Sequence, residues 1–222
     1  MLKAVIYDMD GVLVDSEPLW REAMVSAFAE VGISVTTAQC AETTGLRIDQ
    51  VVAYRYQQTP WETKSLNDTV DLILQKLVKL IHAKAKPMIG ALHSICFFKE
   101  KGFKVGLATS SASIIIDAVL DTLQIRELFE VVTSAEHLVY GKPHPEVYLN
   151  TALKLGVDPT ACVAIEDSFN GLLSAKASRM KTIVVPEEAN REKEQFVIAD
   201  VRLNNLKELN ETHLAILTNC TF

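Results

Sequence analysis

The feature that most limits what this chain can fold into is an alternation of short apolar runs with helical stretches. Lys104 to Ala108, Glu130 to Thr133, Cys162 to Ile165 and Lys181 to Val185 are short, β-branched and apolar, and they read as buried strands. Between them lie Ser113 to Leu123, Glu146 to Leu155 and Phe169 to Ala177, each with helical spacing. Strands that alternate with helices require right-handed crossovers and a parallel sheet. A further short strand is expected over Val201 to Leu203, with a helical end to the chain.

One more strand stands far from these. Leu2 to Tyr7 is an apolar run with Val5 and Ile6 at its centre, and it runs straight into Asp8-Met9-Asp10-Gly11. Gly11 permits a sharp turn, so two carboxylates are presented at the carboxyl end of a strand, where open α/β sheets place their ligands. The stretch from Pro18 to Ala85 contains no strand. Leu19 to Val31, a short piece through Cys40 capped at Thr36-Thr37, Ile48 to Tyr56, and Leu66 to Lys84 with its stripe of Leu66, Val70, Ile73, Leu74, Leu77 and Ile81 are read as helices. Ile89 to Lys101 is expected to be the helix that returns the chain to the sheet, ended by Gly102. The expected organisation is an α/β core, residues 1–16 and 87–222, interrupted by a helical block at 17–86. An insertion there overhangs the carboxyl ends of the strands and can act as a lid.

Composition narrows the function classes. The chain has 222 residues, a net charge of −6 and 49% apolar residues, as an ordinary packed core requires. That charge disfavours nucleic acid and anionic membrane as partners. No run approaches the roughly 20 apolar residues of a membrane span, and no long apolar segment precedes Asp8. The four cysteines, Cys40, Cys96, Cys162 and Cys220, lack metal-ligand spacing. Cys96 and Cys162, inside apolar runs, are expected in the core. Reduced thiols fit a cytoplasmic protein, and a monomer is expected.

Three other strand ends carry groups with chemical potential. Thr109-Ser110-Ser111 precedes a helix, and hydroxyls with free amides at a helix N-terminus suit an anion; the same residues are compatible with an ordinary cap. Lys142 lies in the stiff turn Gly141-Lys142-Pro143-His144-Pro145, with Pro145 suited to a first helical turn. His144, flanked by prolines, is read as structural. Glu166-Asp167-Ser168 ends a strand with two adjacent acids. Carboxylates about 4 Å apart repel by about 4 kcal/mol at an effective dielectric near 20, so gathering Asp8, Asp10, Glu166 and Asp167 calls for a cation. A few oxygen ligands with room for water suit Mg²⁺. A calcium loop of the EF-hand type is excluded, because its fifth position would be Val12 and a strand precedes it.

These segments, in this order, resemble the haloacid dehalogenase superfamily of phosphatases, and the resemblance covers essentially the whole chain. Asp15 to Trp20, Gly45 to Asp49 and Gly141 to Pro145 look most like bacterial phosphatases of small sugar and sugar-alcohol phosphates. The resemblance implies a Rossmann-like parallel-sheet core with a small inserted α-helical cap, and Mg²⁺-dependent release of phosphate from phosphorylated sugars. It implies Asp8 as nucleophile forming an aspartyl-phosphate and Asp10 as acid and then base. Thr109, Ser110 and Lys142 would bind the phosphoryl group. Asp8, the backbone carbonyl of Asp10, Asp167 and, directly or through water, Glu166 would hold the metal. Asp10 serves as acid only if it carries a proton when substrate binds. Glu17, Trp20, Gly45, Leu46 and Arg47 are the cap candidates to meet substrate; Arg47 either holds a sugar hydroxyl or a distal phosphate or is a surface arginine, and Trp20 either stacks on a sugar ring or, the reading preferred, packs in the core of its helix. A sugar phosphomutase of the same fold, a receiver-like phosphoacceptor domain and a non-catalytic sugar-phosphate binding module remain as alternatives.

Overall fold

The computed structural model describes residues 1–43 and 45–219. Six strands form one parallel sheet in the order β3-β2-β1-β4-β5-β6. They are β1 (Ala4–Tyr7), β2 (Lys104–Thr109), β3 (Val131–Ser134), β4 (Cys162–Glu166), β5 (Lys181–Val184) and β6 (Val201–Arg202). The helices are α1 (Glu17–Glu30), α2 (Thr37–Ala41), α3 (Ile48–Gln58), α4 (Leu66–Lys84), α5 (Ala91–Glu100), α6 (Ser113–Leu123), α7 (Glu146–Leu155), α8 (Phe169–Ala177) and α9 (Glu211–Asn219). Cys220 lies outside the described residues.

Side chains alternate across a strand, and the two faces of β1 enter different apolar clusters. Val5 and Tyr7 pack with Val105, Leu107, Ile95 and Phe98, on the side of α5 and α6. Ala4 and Ile6 pack with Tyr148, Ala152 and Ala164, on the side of α7 and α8. With both faces covered, the central strands are apolar throughout, as parallel sheets require.

The order of the strands decides where a site can form. β1 is flanked by β2 and by β4. Successive strands build outward from it in one direction and then in the other. Such a switch point leaves a crevice at the carboxyl ends. Register sets the depth of the groups: Tyr7 lies opposite both Leu107 and Ile165, so the residues after all three strands surface together.

The inserted helices pack on one another over that crevice. Ser65 caps α4 by accepting the amide of Asp68, and Thr36 forms a capping box with Gln39. Ile73, Leu74, Leu77 and Ile81 of the expected stripe are buried, whereas Leu66, in the first turn of α4, is exposed. The chain enters and leaves the insertion through adjacent segments. Asp15 donates its amide to Lys86 at 2.9 Å and Met88 donates to Leu13 at 2.9 Å. The Ile89 carbonyl accepts the Leu206 amide, which holds it outside the helix, so α5 begins at Ala91 rather than at Ile89. Cys162 is buried as expected, but Cys96 is exposed; it occupies the solvent side of α5, whose inward positions are Ala91, Ser94, Ile95 and Phe98.

Candidate active site

The turn after β1 is shaped by its backbone. The Met9 carbonyl accepts the amides of Leu13 and Val14, and Gly11 donates to Val14. Gly11 has φ +71°, and a Cβ there would lie 2.2 Å from Oδ2 of Asp167. The missing side chain lets the turn after β1 and the loop after β4 close on each other.

Asp8 follows β1 and donates its amide to Ile165 of β4. Its Oδ1 receives the Lys142 ammonium at 2.6 Å. Lys142, a loop residue in sequence, is 3% exposed. Its Nζ also donates to Oε1 of Glu166 at 2.6 Å and to the carbonyl of Ala108 at 3.0 Å. The Tyr148 hydroxyl donates to the same Glu166 oxygen at 2.6 Å, and its ring lies 4.9 Å from Nζ. Oε2 of Glu166 accepts from Ser168. Glu166 is fully buried, and a Cβ on Gly171 would meet its carboxylate at 2.0 Å, so glycine is needed at the start of α8.

The electrostatics follow from this enclosure. Burial pushes the Asp8 carboxyl up to about 8, with Glu166 and Asp10 adding to the rise and Lys142 opposing it. Asp167 is raised well above the carboxylate range by enclosure and by Glu166 and Asp8. Burial alone would lower the Lys142 ammonium, but Asp8 and Glu166 more than offset it and hold the proton on. A divalent cation would relieve the crowding of acids. Oxygens of Asp8, Glu166 and Asp167 lie within 4.8 Å of one another, and an all-carboxylate donor set suits a hard cation such as Mg²⁺. Within that group Glu166 has one oxygen taken by Lys142 and Tyr148, so its geometry makes it an anchor for the lysine. Glu166 still belongs, with Asp8 and Asp167, to the group of acids that could hold the metal.

Asp10 is held by three donors: Ser16 at 2.5 Å, Trp20 through its indole nitrogen at 3.0 Å and Ser111 at 2.6 Å. Of the two sequence readings of Trp20, neither describes it fully, since its N–H reaches from α1 to the acid. Ser16 stands at the N-cap of α1 and makes no side-chain cap bond there, because its hydroxyl serves Asp10.

The pocket is lined by Asp8, Asp10, Thr109, Ser110, Lys142 and Asp167 from the sheet side. Thr109 accepts the Ser111 amide at 3.1 Å, which leaves its own O–H to donate. Ser110 has a buried hydroxyl without a protein partner, as suits a group that awaits an anion. The amide of Ser113, at the start of α6, is taken by Glu136 at 2.9 Å, so that end of the helix does not offer this amide to the pocket. From the insertion come Glu17, Trp20, Met24, Leu46, Ile48 and Val51. Arg47 is not among the lining residues. Its Nε and Nη2 bond Asp49 at 2.6 and 2.8 Å, and its Nη1 donates to the carbonyls of Ala135 and Leu138 at 3.0 and 2.6 Å. These last two bonds join the insertion to the loop after β3. His144 stacks near Tyr140 and is exposed, as a structural role allows.

Sequence reasoning missed Ser16 and Tyr148, and it read Ser111 only as one of three hydroxyls suited to an anion. Only the fold shows Ser16 and Ser111 both turned to Asp10. Tyr148 carried no signal beyond an aromatic on a helix.

A model of the haloacid dehalogenase-like hydrolase family matches residues 5–185. Hexitol phosphatase B of Escherichia coli strain K12 is 42% identical over 212 residues, covering 95% of this chain and 96% of that protein. Among solved structures, CbbY from Rhodobacter sphaeroides in complex with phosphate has a TM-score of 0.88 at 27% identity, covering 98% of this chain and 100% of that one. A β-phosphoglucomutase from Clostridium difficile has a TM-score of 0.83 at 23% identity over 99% of this chain and 98% of that one, a likeness of fold.

Proposed function

The chain belongs to the haloacid dehalogenase-like hydrolase family and is a phosphatase; on that premise we propose that it is a cytoplasmic, Mg²⁺-dependent hydrolase of small sugar or sugar-alcohol phosphates. The observation that carries this reading is the buried cluster in which Lys142 bridges Asp8 and Glu166 at 2.6 Å each, at the floor of a pocket roofed by the inserted helices. Residues 17–86 are taken as a cap, with segments 14–15 and 86–88 as its paired stems.

Asp8 is the nucleophile. Its free carboxylate oxygen forms a bond to phosphorus as the bond from phosphorus to the alcohol oxygen breaks, giving an aspartyl-phosphate. Asp10, fixed by Ser16, Trp20 and Ser111, protonates the departing alkoxide and then removes a proton from the water that hydrolyses the acyl phosphate. Thr109 and Ser110 donate to the phosphoryl oxygens. Lys142 offsets the charge that a carboxylate and a phosphate bring together. The metal would be held by the side chains of Asp8 and Asp167, the carbonyl of Asp10 and, directly or through water, Glu166. When bound, it supplies positive charge against the phosphoryl oxygens. Hexitol phosphatase B, the relative reported above, bears a name that agrees with this substrate class.

The test is phosphate release from a panel of phosphate monoesters, with and without Mg²⁺, by the wild type and by Asp8→Asn. Sugar or hexitol monophosphates should be hydrolysed only with the metal. The variant should lose activity by at least about 10⁴-fold, in the range of lost nucleophiles, and still fold. Substantial turnover by Asp8→Asn would end the assignment.

A further inference from the structure

Lys142 is pulled from two sides. Its ammonium has three protons, and three oxygens stand at hydrogen-bond distance to take them: Asp8 and Glu166 at 2.6 Å each and the Ala108 carbonyl at 3.0 Å. Two carboxylates compete for one cation, so its place between them depends on how strongly each pulls. Tyr148 acts on one side of that balance. Its hydroxyl donates at 2.6 Å to the same Glu166 oxygen that Lys142 uses, and lies 3.4 Å from the ammonium. Burial, then the charges of Glu166 and Asp8, hold the phenol proton on, so the hydroxyl stays a donor. The shared oxygen thus has a second donor within a buried network. Without it, Lys142 would be the one donor left to that oxygen among the described residues. The ammonium would be drawn toward Glu166, away from Asp8 and from the side on which a phosphoryl group would arrive.

The hydroxyl is not what places the Lys142 loop. The carbonyls of His144 and Pro145 accept the hydroxyls of Ser174 and Ser178 at 2.7 and 3.2 Å. The Tyr148 side chain is fully buried in the apolar cluster of Ala4, Ile6, Ala108 and Ala164. Its ring lies 4.9 Å from the ammonium, a contact that a phenylalanine would keep.

We propose that Tyr148 is a positioning residue: acting through Glu166, its hydroxyl keeps the Lys142 ammonium beside Asp8, where it meets the charge that develops on the transferring phosphoryl group. The inference rests on the phosphatase reading above. It adds to that reading a residue that is not among those lining the pocket.

The test is Tyr148→Phe, assayed on a sugar or hexitol monophosphate with Mg²⁺. Misplacing the ammonium should lower kcat by at least about tenfold and leave KM within about threefold. Orthovanadate, which adopts the five-coordinate shape of the transferring group, should inhibit the variant at least about tenfold less well, whereas inhibition by inorganic phosphate should change by less than about threefold. A variant that melts earlier but keeps wild-type kcat and vanadate inhibition would show a merely structural hydroxyl and overturn the proposal. The pair Glu166→Gln and Glu166→Gln/Tyr148→Phe closes the cycle, and serves if the single variant fails to fold beside the buried Glu166 charge. With that charge gone, the two should differ in kcat by less than about threefold. A tenfold difference would mean that the hydroxyl does not act through Glu166, and would also overturn the proposal. No release of phosphate from any monoester by the wild type would instead overturn the phosphatase reading itself.

Discussion

Asp8 shows what burial does to a single reactive group. An ordinary carboxyl loses its proton near pH 4, whereas burial and the neighbouring acids push Asp8 up to about 8. Between those values the folded chain holds a proton that the unfolded chain has released. Stability without metal therefore falls as pH rises from about 4 to about 8, and Asp167 acts in the same sense. Mg²⁺ held by the ionised acids, as proposed above, would remove that loss. Denaturant unfolding with EDTA and with Mg²⁺ should show the metal stabilising the chain more at pH 8 than at pH 5. Equal stabilisation at both pH values would mean that these acids do not hold it. Lys142 is the counterweight: removing one partner of such a buried ionic cluster typically costs about 3–5 kcal/mol, so a variant there would test folding before chemistry.

At the scale of elements, the strand endings were plain in the sequence because each is an apolar run that stops at a polar cluster. The bounds of α4, α6, α7 and α8 agree with the helical spacing; Ser65 and Ser168 cap α4 and α8 and Gly156 ends α7, whereas α6 starts at Ala112 without a side-chain cap and ends at a left-handed Gln124. The turn after β1 works only because β4 delivers Asp167 beside it. Gly11→Ala would require a left-handed alanine at φ +71° and would set its Cβ against the Asp167 carboxylate. A loss of about 1–3 kcal/mol in stability is expected, together with a several-fold higher Mg²⁺ requirement for activity, read from unfolding curves and a metal titration. A variant with wild-type metal dependence would show that the close approach does not matter to the site.

Across the whole molecule, the insertion is joined to the sheet domain by an apolar cluster that both share, with α4 packed on α6, and by polar bridges. Arg47 donates to the carbonyls of Ala135 and Leu138, Arg21 pairs with Glu187, and His82 meets Thr122 at 3.0 Å. The pocket lies between the sheet and the inserted helices, and the proposed cap would lift to admit a sugar phosphate. Breaking the Arg47 bridge should favour the lifted state. Arg47→Met is expected to speed amide exchange at residues 135–138 and to leave inhibition by inorganic phosphate unchanged. Unaltered exchange with weakened phosphate inhibition would return Arg47 to the role of a ligand-binding residue.

The order of strands and helices, the place of the helical insertion and the identity of the acids, hydroxyls and lysine were legible in the chain alone. Periodicity and turn residues are local properties, and a strand that ends in carboxylates announces itself without its neighbours. What the tertiary structure decided is which partner each of these groups meets. Lys142 became a buried bridge, Glu166 its anchor and Arg47 a clasp, while Ser16, Trp20 and Ser111 converged on Asp10. These outcomes depend on distances between segments far apart along the chain, and only the packing of the sheet and the cap over it determines those distances.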